Sequence, residues 1–231
     1  QGEVRNNNIN RTFRRKFMTK EKRNYTFGEE IAHCTTHGPM AAIALFMLPY
    51  AAIRAFVLYG AFTAFSVSLF VISLFLMFLS STIYHMMSPN SRHKQVSQIL
   101  DHIFIYVAIA GSYTPIALNV IGRWQGILIT ILQWVMVLFG ILYNSLAKRK
   151  IPKISLTIYL VMGWTVVLFF PLFLKHANFM LIILIAAGGV FYSAGAYFYK
   201  KHEKKYFHMI WHLFVNLGAI CHFIGIVFFL K

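Results

Sequence analysis

Long apolar runs of roughly 20 residues recur along the chain, and short polar stretches separate them. A helix needs about 20 apolar residues to cross the hydrocarbon core of a bilayer. The alternation of apolar and polar residues that is typical of membrane β-strands is absent from these runs. The pattern therefore predicts an all-α integral membrane protein. Its seven membrane-spanning helices are predicted at about residues 34–53, 59–86, 99–119, 126–146, 155–174, 178–199 and 207–230.

The composition agrees with this prediction and divides the chain into two parts. Hydrophobic residues make up 58% and charged residues 12%, whereas a soluble domain carries about 25% charged residues. Residues 1–24 are polar and basic, without the apolar core of a signal peptide. We predict a basic cytoplasmic segment, 1–24, followed by a seven-helix domain, 25–231. Thr12 to Tyr25 fits either a helix lying on the membrane surface or a disordered basic tail.

The lysines and arginines predict the orientation. With seven spans, 18 of the 22 basic residues fall on the side of the N-terminus and four on the other side. Because cytoplasmic loops are enriched in lysine and arginine, we predict a cytoplasmic N-terminus and an outside C-terminus. The formal net charge of +16 is thereby explained by topology and by attraction to anionic membrane lipids. We predict no nucleic-acid partner.

Polar and ionisable residues lie near the cytoplasmic ends of four predicted spans, including five histidines and the chain's only aspartate. Spans 1, 3 and 7 begin on that side and span 2 ends there, so these residues are predicted to lie at one depth. Ionisable groups at such depths are costly and therefore mark a functional site. The residues are Glu30, His33, His37, Ser81, His85, Asp101, His208 and His212.

The spacing of these residues favours a metal site. His208 and His212 are four residues apart, which places both side chains on one face of a helix, and Ser81 and His85 have the same spacing. Three histidines with water in the fourth position form a catalytic zinc arrangement. Asp101, Glu30 or Ser81 could orient the ligands or hold the water. An unpaired carboxylate such as Asp101 would cost on the order of 2.5–3.5 kcal/mol near hydrocarbon, so it needs a partner.

Other candidate residues receive simpler interpretations. His93 and His102 are interpreted as interfacial or packed histidines. His222 lies about 15 Å beyond His212 along the same helix, so we interpret it as a buried polar contact. Cys34 and Cys221 lie at different depths and are not expected to form a disulfide.

The same residues, in this order, resemble the progestin and adipoQ receptor family, specifically its bacterial hemolysin III branch. The family patterns are E-x-x-N-x-x-x-H, S-x-x-x-H, an aspartate on the next span and a late H-x-x-x-H. The segments that carry the resemblance are GEEIAHCTTHG, SSTIYH, LDHIFIYVAIAGSYTPIAL and HMIWHLFVNLGAICHF. The chain departs from the first pattern at His33, where the family has asparagine.

The resemblance implies a seven-helix fold of the bacterial plasma membrane with zinc on the cytoplasmic side. The implied zinc ligands are His85, His208 and His212. Asp101 falls where the family has the aspartate that helps to hold water at the metal, and Ser81 matches its serine. The first motif, with Glu30, His33 and His37, is implied to support the ligands.

The resemblance favours a zinc-dependent hydrolase of a lipid amide or ester, since relatives include receptors with ceramidase-like activity. Membrane lipids are then the expected partners. Two alternatives remain open: a receptor-like regulator of membrane lipid state in which zinc only pins the helices, and a pore-forming hemolysin. A pore needs a polar path across the membrane, but the outer halves of the spans are mostly apolar, as in VVLFFPLFL and FMLIILIAA.

Overall fold

The computed structural model describes residues 25–89, 91–146, 152–201 and 203–231, and the regular structure of these residues is helical. Within these described residues, seven helical stretches are long and apolar enough to cross a membrane, which confirms the predicted all-α fold. The predicted basic segment, 1–24, lies outside the described residues. The helices are α1 Phe27–Tyr59, α2 Ala61–Met86, α3 Arg92–Ile116, α4 Arg123–Leu146, α5 Pro152–Trp164, α6 Phe170–His176, α7 Phe179–Lys200 and α8 Phe207–Phe229.

Two spans contain irregular turns. α3 continues into a π-helical turn, Ala117–Ile121, and the two together form the third span. A 3-10 turn, Thr165–Phe169, connects α5 to α6, and the fifth span runs through both helices over Ile154–His176. The remaining spans are single helices.

Two helices begin about seven residues earlier than the apolar pattern predicted. α1 begins at Phe27 instead of about residue 34, and α3 begins at Arg92 instead of about residue 99. The apolar pattern locates only the part of a helix that lies in hydrocarbon, whereas capping groups extend the helix beyond it. The apolar pattern placed Asp101 in the first turn of the third span, whereas it lies more than two turns inside α3.

Capping interactions determine where α1 begins. Thr26 Oγ1 accepts a hydrogen bond from Glu29 N, and Glu29 Oε2 accepts one of 3.0 Å from Thr26 N, which forms a capping box. Glu29 Oε1 also accepts a hydrogen bond of 3.1 Å from Tyr206 N, the residue before α8. The start of α1 is thereby fixed to the start of α8. We call this end of the bundle, which carries Lys94, Lys200, Lys201, Lys204 and Lys205, the basic end.

At the opposite end Gly60 connects α1 to α2 with a φ of 84°, a conformation that favours glycine. α2 then packs between α1 and α3 and also contacts α8. Its buried face carries small hydroxyl residues, and Ser66, Ser73 and Ser80 each donate to a carbonyl of α2 itself. Small residues allow membrane helices to approach closely. This close packing brings the ends of α1, α2 and α8 together at the basic end.

Candidate metal centre

Five buried histidines from three helices meet at the basic end. His33 and His37 come from α1, His85 from the last turn of α2, and His208 and His212 from the first two turns of α8. All five are at most 8% exposed. The structure therefore brings together residues that are up to 179 positions apart in the sequence.

The Nε2 atoms of His85 and His212 both lie close to Nε2 of His208. His208 Nε2 lies 3.3 Å from His85 Nε2 and 3.2 Å from His212 Nε2. Nitrogens bound tetrahedrally to one zinc ion at about 2.0–2.1 Å are about 3.3 Å apart. His33, His85 and His208 also each offer one nitrogen within 4.8 Å of the others, a group that could hold a metal ion.

Hydrogen bonds fix the tautomers of two of these histidines. His85 Nδ1 donates to Glu30 Oε2 at 2.6 Å, which leaves its Nε2 lone pair directed to the centre. His212 Nδ1 lies 3.1 Å from Thr36 Oγ1, whose own proton is donated to His33 O at 2.7 Å. Thr36 therefore accepts from His212, and the Nε2 lone pair of His212 is also available. Metal-binding histidines are commonly oriented in this way by carboxylate or other oxygen acceptors.

The second oxygen of Glu30 binds a lysine. Lys94 Nζ donates to Glu30 Oε1 at 2.6 Å and to Met87 O at 3.1 Å. The predicted spans 59–86 and 99–119 leave Lys94 in the loop between them, but it belongs to the first turn of α3. The longer α3 is the reason that this cation reaches the carboxylate.

The two α1 histidines differ in their surroundings. His37 stacks on His212, with ring centres 3.7 Å apart and planes 6° apart, and so holds the His212 ring in place. His33 Nδ1 lies 3.2 Å from His85 Nδ1 and 3.8 Å from Glu30 Oε2. His33 is therefore in direct contact with His85 and close to Glu30.

Asp101 and Ser81 lie where the histidine cluster meets a large cavity. Asp101 is 5% and Ser81 2% exposed, and the Ser81 side chain neighbours the Asp101 carboxyl. Together with His37 they line one end of a cavity of about 580 Å³. The wall continues along the third span from Asp101 to Ile121, about 30 Å along the helix axis.

The rest of the cavity wall is mostly apolar. Ile105, Ile109, Val167, Phe170 and Ile185 are among its lining residues. α5 and α7, which contribute much of this wall, make few contacts with each other. The cavity is therefore an apolar chamber, bordered by a carboxyl, a hydroxyl and an imidazole at one end.

Comparison with known proteins identifies the family. A family model described as "Haemolysin-III related" matches residues 25–223. The chain belongs to the haemolysin III family. It is 34% identical to "Hemolysin-3 homolog" of Bacillus subtilis (strain 168) over 89% of this chain and 96% of that protein. It is 31% identical to "Hemolysin-3" of Bacillus cereus over 87% and 91%.

A more distant relative extends the similarity beyond bacteria. The chain is 30% identical to human "Monocyte to macrophage differentiation factor" over 65% of this chain and 64% of that protein. The seven apolar helices and the bacterial relatives together identify a multi-pass protein of the plasma membrane.

Two further residues of this haemolysin III protein contact the cluster and were not identified from its sequence. Thr36 acts through its contact with His212. The Tyr25 ring lies edge-on to His33 at 4.8 Å and 5.3 Å from His208. Burial raises the pKa of Tyr25, so its phenol stays protonated. The indication that the sequence offered for Thr36 and Tyr25 was that they lie within or close to the first motif.

The remaining candidates lie apart from the cluster. His93 is exposed on α3, and His222 Nε2 donates to Ile185 O at 3.4 Å, in agreement with a buried polar contact. Cys34 and Cys221 are both free thiols, as predicted.

Proposed function

We propose that this chain is an integral membrane hydrolase that uses a zinc ion to cleave a lipid amide or ester near the cytoplasmic face. One observation carries the proposal: Asp101 and Ser81 line an apolar cavity of about 580 Å³ together with His37, a member of the histidine cluster. A zinc-dependent hydrolase of lipids needs a metal, a proton acceptor and an apolar binding space close together. Asp101 supplies the proton acceptor, and the cavity supplies the apolar binding space.

The donor set fits zinc. It consists of imidazoles, with nitrogen spacings of 3.2 and 3.3 Å, and imidazole is a good ligand for zinc, as it is for copper, iron and nickel. When bound, zinc would polarise a carbonyl and lower the pKa of a water molecule toward 7. His85, His208 and His212 would hold it, and Glu30, Thr36 and His37 would keep their rings in position.

Asp101 is the proposed proton carrier. A water molecule adds to the acyl carbon, the C–N or C–O bond breaks, and the acyl carbon keeps the water oxygen as a carboxylic acid. Asp101 would accept the proton of the water and deliver it to the leaving amine or alcohol. The neighbouring Ser81 hydroxyl would orient the Asp101 carboxyl.

The cavity supports a lipid as the substrate class. A polar boundary at Asp101 and an apolar wall that extends along α3 match a molecule with one polar head and a long chain. Because α5 and α7 make few contacts with each other, the long chain of a lipid could enter the cavity between them from the bilayer. The same apolar wall argues against an ion-conducting pore, which needs polar groups along its length.

Turnover by the purified protein tests the proposal. Zinc-loaded full-length protein in lipid nanodiscs is given a fluorogenic long-chain fatty amide and the matching fatty ester. We expect release of the fluorophore, its loss after chelation, and its return after zinc is added back. If fully zinc-loaded protein cleaves neither the amide nor the ester, the proposed hydrolase is refuted.

One observation favours a second function. The histidine cluster connects α1, α2 and α8, so a metal there would pin three helices as in a structural site. In that case the chain would act as a receptor-like regulator of membrane lipid state. Chelation would then lower thermal stability, and zinc-loaded protein would bind lipids in the cavity without cleaving them.

A further inference from the structure

His33 completes a compact group of four imidazole rings. The centre of the His33 ring lies 4.4 Å from the ring centre of His85, 4.7 Å from that of His208 and 5.3 Å from that of His212. Among the other three rings, the centres are 5.2 Å apart for His85 and His208, 5.3 Å for His85 and His212, and 4.7 Å for His208 and His212. The four rings therefore occupy the corners of a slightly compressed tetrahedron.

A single metal ion accounts for this arrangement. Four imidazoles bound tetrahedrally, with metal–nitrogen distances of about 2.0–2.1 Å, place their ring centres about 5 Å apart. The shortest observed separation, between His33 and His85, is 4.4 Å. All four rings are buried, and His33 is fully so.

One ring nitrogen of His33 remains for a metal ion. The His33 Nδ1 side faces Glu30 Oε2, 3.8 Å away, and His85 Nδ1, which already donates to Glu30. His33 Nε2 is buried and has no hydrogen-bond partner among the described residues. A buried ring nitrogen without a partner is costly, and a metal ion would satisfy the lone pair of His33 Nε2.

We propose that His33 supplies a fourth nitrogen to the metal, which makes the centre of this chain a four-histidine site in the resting state. The inference rests on the metal centre of the proposed function but does not require hydrolysis. Four nitrogens fill a tetrahedral shell. Water and substrate then reach the metal only if the shell expands to five ligands or if His33 is displaced. His33 is thus a resting-state ligand that limits access to the metal.

X-ray absorption of the zinc-loaded full-length protein tests the ligand count. We expect a shell of four imidazole nitrogens in the wild type. His33→Asn is expected to have three nitrogens and one oxygen, and a zinc affinity at least about ten-fold weaker. His222→Asn is the control, because it removes a buried histidine roughly 15 Å away along α8; its shell and affinity should match the wild type.

The outcomes separate this inference from the proposed function. A wild-type shell of three imidazoles and an oxygen would overturn the inference and leave the hydrolase intact. An unchanged spectrum in His33→Asn would overturn it as well. If His33→Asn fails to fold, the wild-type ligand count alone decides. Four imidazoles in a protein without hydrolytic activity would support the fourth ligand and refute the hydrolase.

Discussion

Glu30 and His85 join the first helix to the second through a hydrogen bond of 2.6 Å between Oε2 and Nδ1. The bond sets the tautomer of His85, and Lys94 holds the other carboxylate oxygen at 2.6 Å. Lys94, Glu30 and His85 thus form a chain from the basic end to the centre of the histidine cluster. The metal affinity of the site should depend on every member of this chain.

Glu30→Gln should weaken zinc binding by about 10–100-fold, the usual cost of removing an acceptor behind a histidine ligand. The neutral amide still accepts a hydrogen bond but no longer carries the charge that favours the Nδ1–H tautomer of His85. Competition with a chromophoric chelator measures the effect. Lys94→Met should have a smaller effect in the same direction, and a larger effect for Lys94→Met would contradict this order.

His208→Ala combined with His212→Ala should abolish stoichiometric zinc binding, because two of the converging nitrogens are lost. Metal analysis of the purified protein measures zinc per chain. His93→Ala, a substitution of an exposed histidine, is the matched control and should retain wild-type zinc. Full zinc content in the double variant would show that the metal lies elsewhere.

Asp101→Asn should retain zinc and the fold but lose hydrolysis by about 10²–10⁴-fold, the usual contribution of a general base. The amide keeps the size of the side chain and loses its basicity. Turnover and zinc content are measured on the same sample. Unchanged turnover would exclude Asp101 as the proton carrier, whereas loss of zinc would make its carboxylate a support of the metal site.

Ala186→Trp should reduce turnover of long-chain substrates more than that of short-chain ones, because Ala186 lines the cavity away from the Asp101 end. The measurement is kcat/KM for a series of fatty amides of increasing chain length. An equal loss of kcat/KM at every chain length would mean that the fatty chain of the substrate does not lie in this cavity.

The orientation can be tested with single cysteines at exposed Lys204 and Lys231, in a variant with both native cysteines changed to serine. The distribution of basic residues predicts that a cysteine at Lys204 is labelled only after the membrane is permeabilised. A cysteine at Lys231 should react with an impermeant reagent on intact cells. The reverse pattern would place the histidine cluster on the outer side.

The sequence alone determined the number of spans and which residues share one end of the bundle. Apolar runs long enough to cross a bilayer define the helices whatever their neighbours are. Because successive spans alternate in direction, Glu30, His85, Asp101 and His208 had to lie at the same end. The i, i+4 spacing also placed His208 and His212 on one face of α8 before any contact was known.

Only the tertiary structure decided which atoms meet. The rotation of each helix about its axis and its tilt are set by packing against neighbouring helices, which an apolar run does not encode. The capping box at Thr26 and the early start of α3 brought Glu30 and Lys94 within 2.6 Å. The same packing put His33 beside three other imidazoles and opened the cavity at Asp101. Those relationships depend on contacts between residues far apart in the chain, and the spacing of residues within single helices could not specify them.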